Sequence, residues 1–143
     1  MNVLKKKCVP LLMILVLCLS YGGVAFAADS NMQKPVSPQW TNTDVINLSL
    51  SFSGSKGSCG ACVIGKTGTT EITGTAVLSR KNSDGTYTAV KTWNALDATG
   101  NMLIFDSTYY VTTGHTYRLT ITATVYRNGT SEPVSGYYEA YAG

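Results

Sequence analysis

The residue spacing with the most specific chemical meaning is a glycine-rich motif near the middle of the chain. Residues 60–67, GACVIGKT, match the phosphate-binding loop G-x-x-x-x-G-K-[ST]. That loop holds phosphate because it connects a strand to the N-terminus of a helix, whose backbone amides bind the anion. Here the match is followed by Gly68, Thr69, Thr70 and then a strand pattern. We therefore interpret it as a strand ending in a Gly-Lys turn, and we expect no nucleotide cofactor.

The same region contains a C-x-x-C pair, Cys59 and Cys62. A redox pair of this kind begins a helix in a thioredoxin-like βαβ unit, and the surrounding sequence shows no such unit. A structural disulfide is the favoured interpretation, and two free thiols are the alternative. Residues three apart in an extended strand are separated by about 10 Å, whereas a disulfide needs Cα atoms within about 7 Å. A bridge would therefore require a turn or bulge at Gly60 and Ala61.

Other candidates for catalysis or metal binding are few. His115 is the single histidine, and two cysteines with one distant histidine make a poor zinc site. No G-x-S-x-G motif accompanies it. The three glutamates, Glu71, Glu132 and Glu139, have no spacing that marks a catalytic pair. We expect no catalytic residue, no metal site and no cofactor.

The tyrosines form a more suggestive pattern, because several are neighbours in sequence. Adjacent residues of a strand point to opposite faces, so the pairs Tyr109–Tyr110 and Tyr137–Tyr138 must each expose a ring unless both faces are buried. Exposed tyrosine stacks on sugars and anchors protein partners, although tyrosine is also a favoured strand residue that needs no ligand. Tyr137 and Tyr138 are the candidate binding face.

Alternation of apolar and polar residues indicates that strands position these side chains. The predicted strands cover residues 45–52, 70–80, 86–93, 102–105, 115–127 and 133–141. The predicted loops and turns cover residues 53–60, 81–85, 97–101 and 128–129. Together these patterns predict an all-β fold: a single antiparallel β-sandwich of seven or eight strands, with a small barrel as the alternative, preceded by a signal-peptide helix.

The N-terminus has the three parts of a secretory signal peptide. Three lysines (residues 5–7) precede an apolar run over residues 11–19, and Ala25-Phe26-Ala27 provides a small-x-small cleavage motif. Cleavage is expected between Ala27 and Ala28. A membrane span would need about 18 to 20 apolar residues, so we expect a secreted, extracellular protein without a stable membrane anchor. The predicted segments are a signal peptide (1–27), a flexible N-terminal arm (28–39) and a β-sandwich domain (40–143).

The charge balance gives no indication of a partner. The chain has 11 Lys and Arg residues and 8 Asp and Glu residues, and three of the lysines lie in the leader. The mature chain of about 116 residues therefore has a net charge near zero. Without a basic stripe we expect no nucleic-acid partner.

Two resemblances extend this interpretation. Residues 109–134, YYVTTGHTYRLTITATVYRNGTSEPV, resemble the last two strands of fibronectin type III-like sandwiches, which implies an immunoglobulin-like fold. The whole chain resembles a family of small secreted Gram-positive bacterial proteins of unassigned function. The features that carry this second resemblance are Trp40, residues 70–80, the DGTY segment at 84–87, Trp93, residues 114–129 and Glu132.

The sequence thus predicts a non-catalytic extracellular module that binds a partner or has a structural role. Its partner is unknown, and a cell-surface glycan or protein is the class we expect. The alternatives are a small secreted antibacterial or toxin-like effector and an enzyme of unknown type. An enzyme would need a concave site that converges on His115 or on two carboxylates.

Overall fold

The computed structural model describes residues 39–143, which form seven strands. The signal-peptide helix, the cleavage point between Ala27 and Ala28, and all of the arm except its last residue lie outside the described residues. The strands are β1 (Thr43–Ser53), β2 (Lys56–Gly65), β3 (Thr69–Lys81), β4 (Tyr87–Thr99), β5 (Met102–Tyr110), β6 (His115–Arg127) and β7 (Thr130–Ala142). No helix within this range is long and apolar enough to cross a membrane.

The strands form two antiparallel sheets, which confirms the predicted all-β sandwich and gives seven strands. One sheet has three strands in the order β1-β2-β5, and the other has four in the order β4-β3-β6-β7. Neighbours within each sheet pair antiparallel throughout. The fold is therefore two sheets packed face to face, in which alternate residues of each strand are buried.

In β6, the apolar residues that alternate with polar ones in the sequence form part of the hydrophobic core. Its inward side chains are at most 2% exposed, and they are Tyr117, Leu119, Ile121, Ala123 and Val125. They pack with inward residues of β3 and of the three-stranded sheet, among them Ile72, Leu78, Leu50, Val63 and Phe105. Full burial of one such side chain contributes about 1.5–3 kcal/mol, so this stripe fixes which face of β6 is inward.

The two sheets approach closely where β1 lies over β7. A Cβ added at Gly136 would lie 3.1 Å from Ile46 Cγ2 and 3.1 Å from Leu48 Cδ1. That distance is shorter than ordinary contact, so glycine at this position lets β1 lie against β7.

The predicted loop over residues 53–60 is wrong, because β2 begins at Lys56 and the turn contains only Gly54 and Ser55. Serine and glycine suggested a loop, yet β2 is the central strand of its sheet and is paired on both sides. Neighbouring side chains fill the space above its glycines. A Cβ at Gly57 would lie 2.8 Å from Phe52 Cε1, so the missing side chain makes room for a ring.

The predicted turn over residues 97–101 is too long, and the two strands that flank it are longer than expected. β4 continues to Thr99 and β5 continues to Tyr110. β4 has irregular pairing with β3, and Ala95 has a positive φ of 55°. β4 nevertheless stays paired with β3 up to Thr99, and the chain passes to the other sheet through the short turn at Gly100 and Asn101.

Two tight connections fix the position of β6. Asn128 and Gly129 have φ values of 50° and 75°, as a two-residue hairpin turn requires, which confirms the predicted turn between β6 and β7. At the other end of β6, the Tyr117 hydroxyl donates to the carbonyl of Thr112 at 2.8 Å. This bond is a tyrosine corner, which ties the connection before β6 to the core.

Candidate functional site

The outer face of the four-stranded sheet carries the side chains that alternate with the core of β6. The register pairs Arg118 of β6 with Glu139 of β7, and Thr120 with Tyr137. The same face contains a row of threonines on β6 and β3, so it is polar along its length. Against this background, one group of aromatic and charged side chains stands out.

Arg118 lies between two tyrosine rings on this face. Its guanidinium carbon is 3.8 Å from the centre of the Tyr87 ring and 4.3 Å from the centre of the Tyr137 ring. Arg118 Nε donates to Glu139 Oε1 at 2.8 Å, and a terminal guanidinium nitrogen contacts the same oxygen. The Tyr87 hydroxyl also donates to Glu139 Oε1, at 2.6 Å. We call Tyr87, Arg118, Tyr137 and Glu139 the tyrosine–arginine cluster.

The charged groups of the cluster hold each other in their ionised forms. Partial burial opposes charge on Glu139, but hydrogen bonds from Tyr87 and Arg118 outweigh it and lower the pKa of that carboxyl. Burial likewise opposes charge on Arg118, and the bond to Glu139 outweighs it and raises the pKa of the guanidinium. Both side chains of the pair are about 30% exposed. The cluster is thus an ordered, accessible surface of two rings around a fixed cation.

The hairpin between β3 and β4 positions Tyr87. The Asp84 carboxylate accepts from Thr86 N at 2.9 Å and from the Thr86 hydroxyl at 2.6 Å, and these bonds lower the pKa of Asp84. Asn82 donates to the hydroxyls of Thr86 and Thr88 at 2.9 Å each. The predicted turn over residues 81–85 is therefore confirmed, and it directs the chain back so that Tyr87 pairs with Lys81.

A cleft of about 510 Å³ opens beside the cluster, at the end of the four-stranded sheet. It lies between the end of β3 with its turn, the start of β6 and the end of β7. We call it the end cleft, and the side chains that characterise it are Arg80, Lys81, Ser83, His115, Thr116 and Tyr141. Lys81 also lies 6.0 Å from the centre of the Tyr87 ring, so this residue of the cleft adjoins the cluster.

At the opposite end of the same sheet, Glu132 has a different environment. Its carboxylate accepts from the backbone N–H groups of Thr41, Asn42 and Thr43 at 2.6–2.9 Å, and from the Thr43 hydroxyl at 2.9 Å. Desolvation opposes the charge, but these hydrogen bonds outweigh it and lower the pKa of Glu132. The arrangement, which we call the Glu132 clamp, fastens the start of the domain to the β6–β7 hairpin.

Lys66, the lysine of the phosphate-loop match, lies at the same end of the domain as the Glu132 clamp and holds the same N-terminal segment. Lys66 Nζ donates to the carbonyl of Trp40 at 2.6 Å, and Lys66 N donates to the carbonyl of Asn42 at 2.7 Å. Residues 60–65 of the match lie in β2, and the strand β3 follows it. The match is therefore a strand and a turn, as interpreted from sequence, with no helix N-terminus to hold phosphate.

Cys59 and Cys62 are both free. β2 is regular through them, with Cys59 paired to Leu50 and Cys62 paired to Asn47. Residues three apart in a strand lie on opposite faces, and Cys59 is buried in the core while Cys62 is half-buried on the outer side. Burial, with the nearby charge of Asp106, raises the pKa of the Cys59 thiol to about 11. The structure thus corrects the disulfide interpretation: there is no turn or bulge to bring the sulfurs together.

Tyr137 and Tyr138 also lie on opposite faces, so they do not form one binding face. Tyr137 is opposite the outward Thr120, whereas Tyr138 is opposite Leu119, a core residue. Both rings are about half exposed. Of the two, only Tyr137 belongs to the tyrosine–arginine cluster.

Sequence reasoning missed three members of the cluster. Tyr87, Arg118 and Glu139 come from three strands and meet only through the sheet pairing. One signal was available: Arg118 is the single charged residue among the threonines of the outward face of β6. Within residues 39–143, no group of three His, Cys, Asp or Glu side chains is placed to hold a metal ion.

Comparison with known proteins identifies no family. No family model matches the chain, and no curated protein matches it. Among solved structures it is similar to Spo0M, a sporulation control protein from Bacillus subtilis, with 13% sequence identity and a TM-score of 0.44. The match covers 71% of this chain and 49% of Spo0M, so the chain spans about half the length of that protein. At this similarity nothing is transferred from Spo0M, and the fold assignment depends on the seven strands themselves.

Proposed function

We propose that this protein is a secreted, non-catalytic binding module, and that it binds a cell-surface glycan on the outer face of its four-stranded sheet. One observation carries the proposal: Arg118 is held between Tyr87 and Tyr137 on an accessible face. Sugar rings stack on tyrosine, and their hydroxyls bond to charged groups. Because the rings are ordered before binding, little side-chain entropy remains to be lost.

The bonding within the cluster favours binding over catalysis. Glu139, its one carboxylate, already accepts from Arg118 and Tyr87, and its pKa is lowered. A general acid or base needs a pKa near the working pH and a free position toward the substrate. Glu139 is instead a fixed anion that orients its neighbours, so we assign the cluster no catalytic step.

The proposed extracellular role also agrees with two features of the chain. The leader has a basic head, an apolar run and a small-x-small motif. The sandwich has a tyrosine corner at Tyr117, which supports the resemblance to fibronectin type III-like and other immunoglobulin-like domains. Such domains often act as binding modules of exported proteins, and we extend that role to this one.

The test uses the full chain expressed in a bacterial host and recovered from the medium. Mass spectrometry of the product should show a chain that begins at Ala28. That product is then applied to a glycan array and to whole bacterial cells. We expect binding to a defined polysaccharide, weakened by about tenfold or more in Tyr137→Ala, since loss of a stacked ring costs about 1–3 kcal/mol.

The matched control is Tyr110→Ala. Tyr110 is 68% exposed on the other sheet, so this substitution also removes an exposed tyrosine. Equal loss of binding in both variants would contradict the assignment of the face. Absence of binding to any glycan or cell surface, together with growth inhibition of neighbouring bacteria, would overturn the proposal in favour of an antibacterial effector.

A further inference from the structure

The end cleft lies where the end of β3 meets the start of β6, and two residues with fixed positive charge, Arg80 and Lys81, line it. Arg80 and Lys81 are the last residues of β3, and His115 is the first residue of β6. The register that pairs Arg80 with Tyr117 brings these strand ends together. All three residues line the cleft, and no Asp or Glu residue does.

The acidic groups nearest the cleft are already engaged. Glu139 pairs with Arg118, and the Asp84 carboxylate bonds to Thr86 within its own turn. Across residues 39–143 the Arg118–Glu139 contact is the one ion pair, so neither Arg80 nor Lys81 is in direct contact with a carboxylate, although the charge of Lys81 helps to lower the pKa of Glu139. Arg80 and Lys81 are consecutive in β3, so their side chains leave opposite faces of the strand and flank the cleft at the end of the sheet, where an anion would attract both cations.

We propose that the end cleft binds a tetrahedral oxyanion, phosphate or sulfate, carried by the glycan that stacks on the tyrosine–arginine cluster. The guanidinium of Arg80 offers a planar pair of donors, which suits two oxyanion oxygens, and Lys81 adds a compact charge. Three residues that carry hydroxyls, Ser83, Thr116 and Tyr141, line the same space. A volume of about 510 Å³ has room for the anionic group and part of the sugar that bears it.

This inference depends on the proposed function, because it names the chemical class of the same ligand. Lys81 connects the two parts: it lines the cleft and lies 6.0 Å from the centre of the Tyr87 ring. Tyr141 projects from the outward side of β7, as Tyr137 does, and is 64% exposed. A sugar on the cluster therefore has its substituents close to Lys81 at the edge of the cleft.

The first experiment measures the oxyanion alone, so it is independent of any glycan. The exported protein is titrated with sodium phosphate, and separately with sodium sulfate, at constant ionic strength, while backbone amide resonances are followed by NMR. We expect saturable shifts at Ser83, Gly114 and His115, and we expect Arg80→Gln/Lys81→Gln to lose them. The control, Lys56→Gln/Lys91→Gln, removes the same charge elsewhere and should retain them.

The inference would be overturned if the wild-type protein showed no saturable NMR shifts, or if the control variant lost them as completely as Arg80→Gln/Lys81→Gln. The second result would mean that the anion binds through the net charge of the protein and not in the cleft. These results leave the role of Tyr137 in glycan binding intact.

The second experiment compares phosphorylated, sulfated and neutral forms of the same oligosaccharides. We expect preference for one anionic form, and about tenfold weaker binding of that form by Arg80→Gln/Lys81→Gln with little change for the neutral form. The form that binds more tightly shows whether the anionic group of the ligand is phosphate or sulfate. Equal binding of all forms would overturn the inference while the glycan-binding function stands. Absence of binding to any glycan or cell surface would instead contradict that function itself.

Discussion

Two glutamates of β7 have the same direction of pKa shift but opposite kinds of environment. Glu132 accepts hydrogen bonds from three consecutive backbone amides next to the start of the domain. Glu139 accepts from two side chains on an open face. Backbone donors hold the chain itself, whereas side-chain donors hold only other side chains. We therefore expect the Glu132 clamp to stabilise the fold and the tyrosine–arginine cluster to prepare a surface for binding.

The largest expected effect is on stability, from Glu132→Ala. The substitution leaves three N–H groups without their acceptor, and an unsatisfied buried donor costs about 1–3 kcal/mol. Because these groups are only partly buried, water satisfies some of them, and we expect a loss of about 2–3 kcal/mol in the free energy of unfolding. Chemical denaturation measures it, with the exposed Glu71→Ala as the matched control. Equal stability of the two variants would contradict the structural role of the clamp.

The second prediction concerns pH. The folded-state pKa of Glu132 lies below its ordinary value of 4.5. A lowered pKa contributes stability that is present above the unfolded-state pKa and is lost as the pH falls through the folded-state pKa. The stability difference between wild type and Glu132→Ala should therefore be constant near neutral pH and shrink below about pH 4.5. A difference that is unchanged down to pH 3 would show that packing, rather than the charge, stabilises this end.

A smaller effect on folding is expected from Arg118→Gln. The ion pair is about 30% exposed, so solvent screens it, and such pairs contribute about 0.2–1 kcal/mol. We expect a loss of under about 1 kcal/mol in unfolding free energy, together with the weakened glycan binding proposed for this face. Denaturation and the array assay on one preparation separate the two effects. A loss of stability as large as that of Glu132→Ala would remove the contrast between the regions.

The smallest expected effect is the salt dependence of these differences. Exposed charges are screened as the Debye length falls from about 10 Å at 0.1 M salt to about 3 Å at 1 M. The stability difference between wild type and Arg118→Gln should decrease by a few tenths of a kcal/mol over this range. The stability difference between wild type and Glu132→Ala should change less, because salt does not break the hydrogen bonds that Glu132 accepts from backbone amides in the wild-type protein. The reverse order would indicate that the cluster is the more buried site.

Much of the fold could be predicted from local patterns. The alternation in β6 predicts its bounds as found, because burying the wrong face would expose five apolar side chains. Asn128 and Gly129 predict their turn because few residues adopt a positive φ. The first half of β2 reads as a loop in sequence, because its glycines make room for Phe52 and Ser49 of the neighbouring strand rather than forming a turn. Such a reason lies in another strand and has no local signal.

The candidate site was only partly predictable. The sequence predicts Tyr137 as an exposed aromatic residue, but its partners Tyr87 and Arg118 belong to other strands. The same pattern points to Tyr138, which the alternation of the strand turns to the other face. The pairing of Cys59 with Cys62 failed on the same alternation, because three steps along a regular strand reverse the direction of the side chain.

By itself, the sequence determined the class of fold, most of the strands, the tight turns and the core stripe of β6, because these depend on interactions between residues a few positions apart. Only the tertiary structure decided where charge and aromatic rings meet. Residues 28–143 carry equal numbers of basic and acidic residues, yet Arg118, Glu139 and the two tyrosine rings meet on one face because the pairing of β3, β4, β6 and β7 brings their strands together. Composition averages charge over the chain, whereas electrostatic recognition depends on the distances that sheet pairing creates.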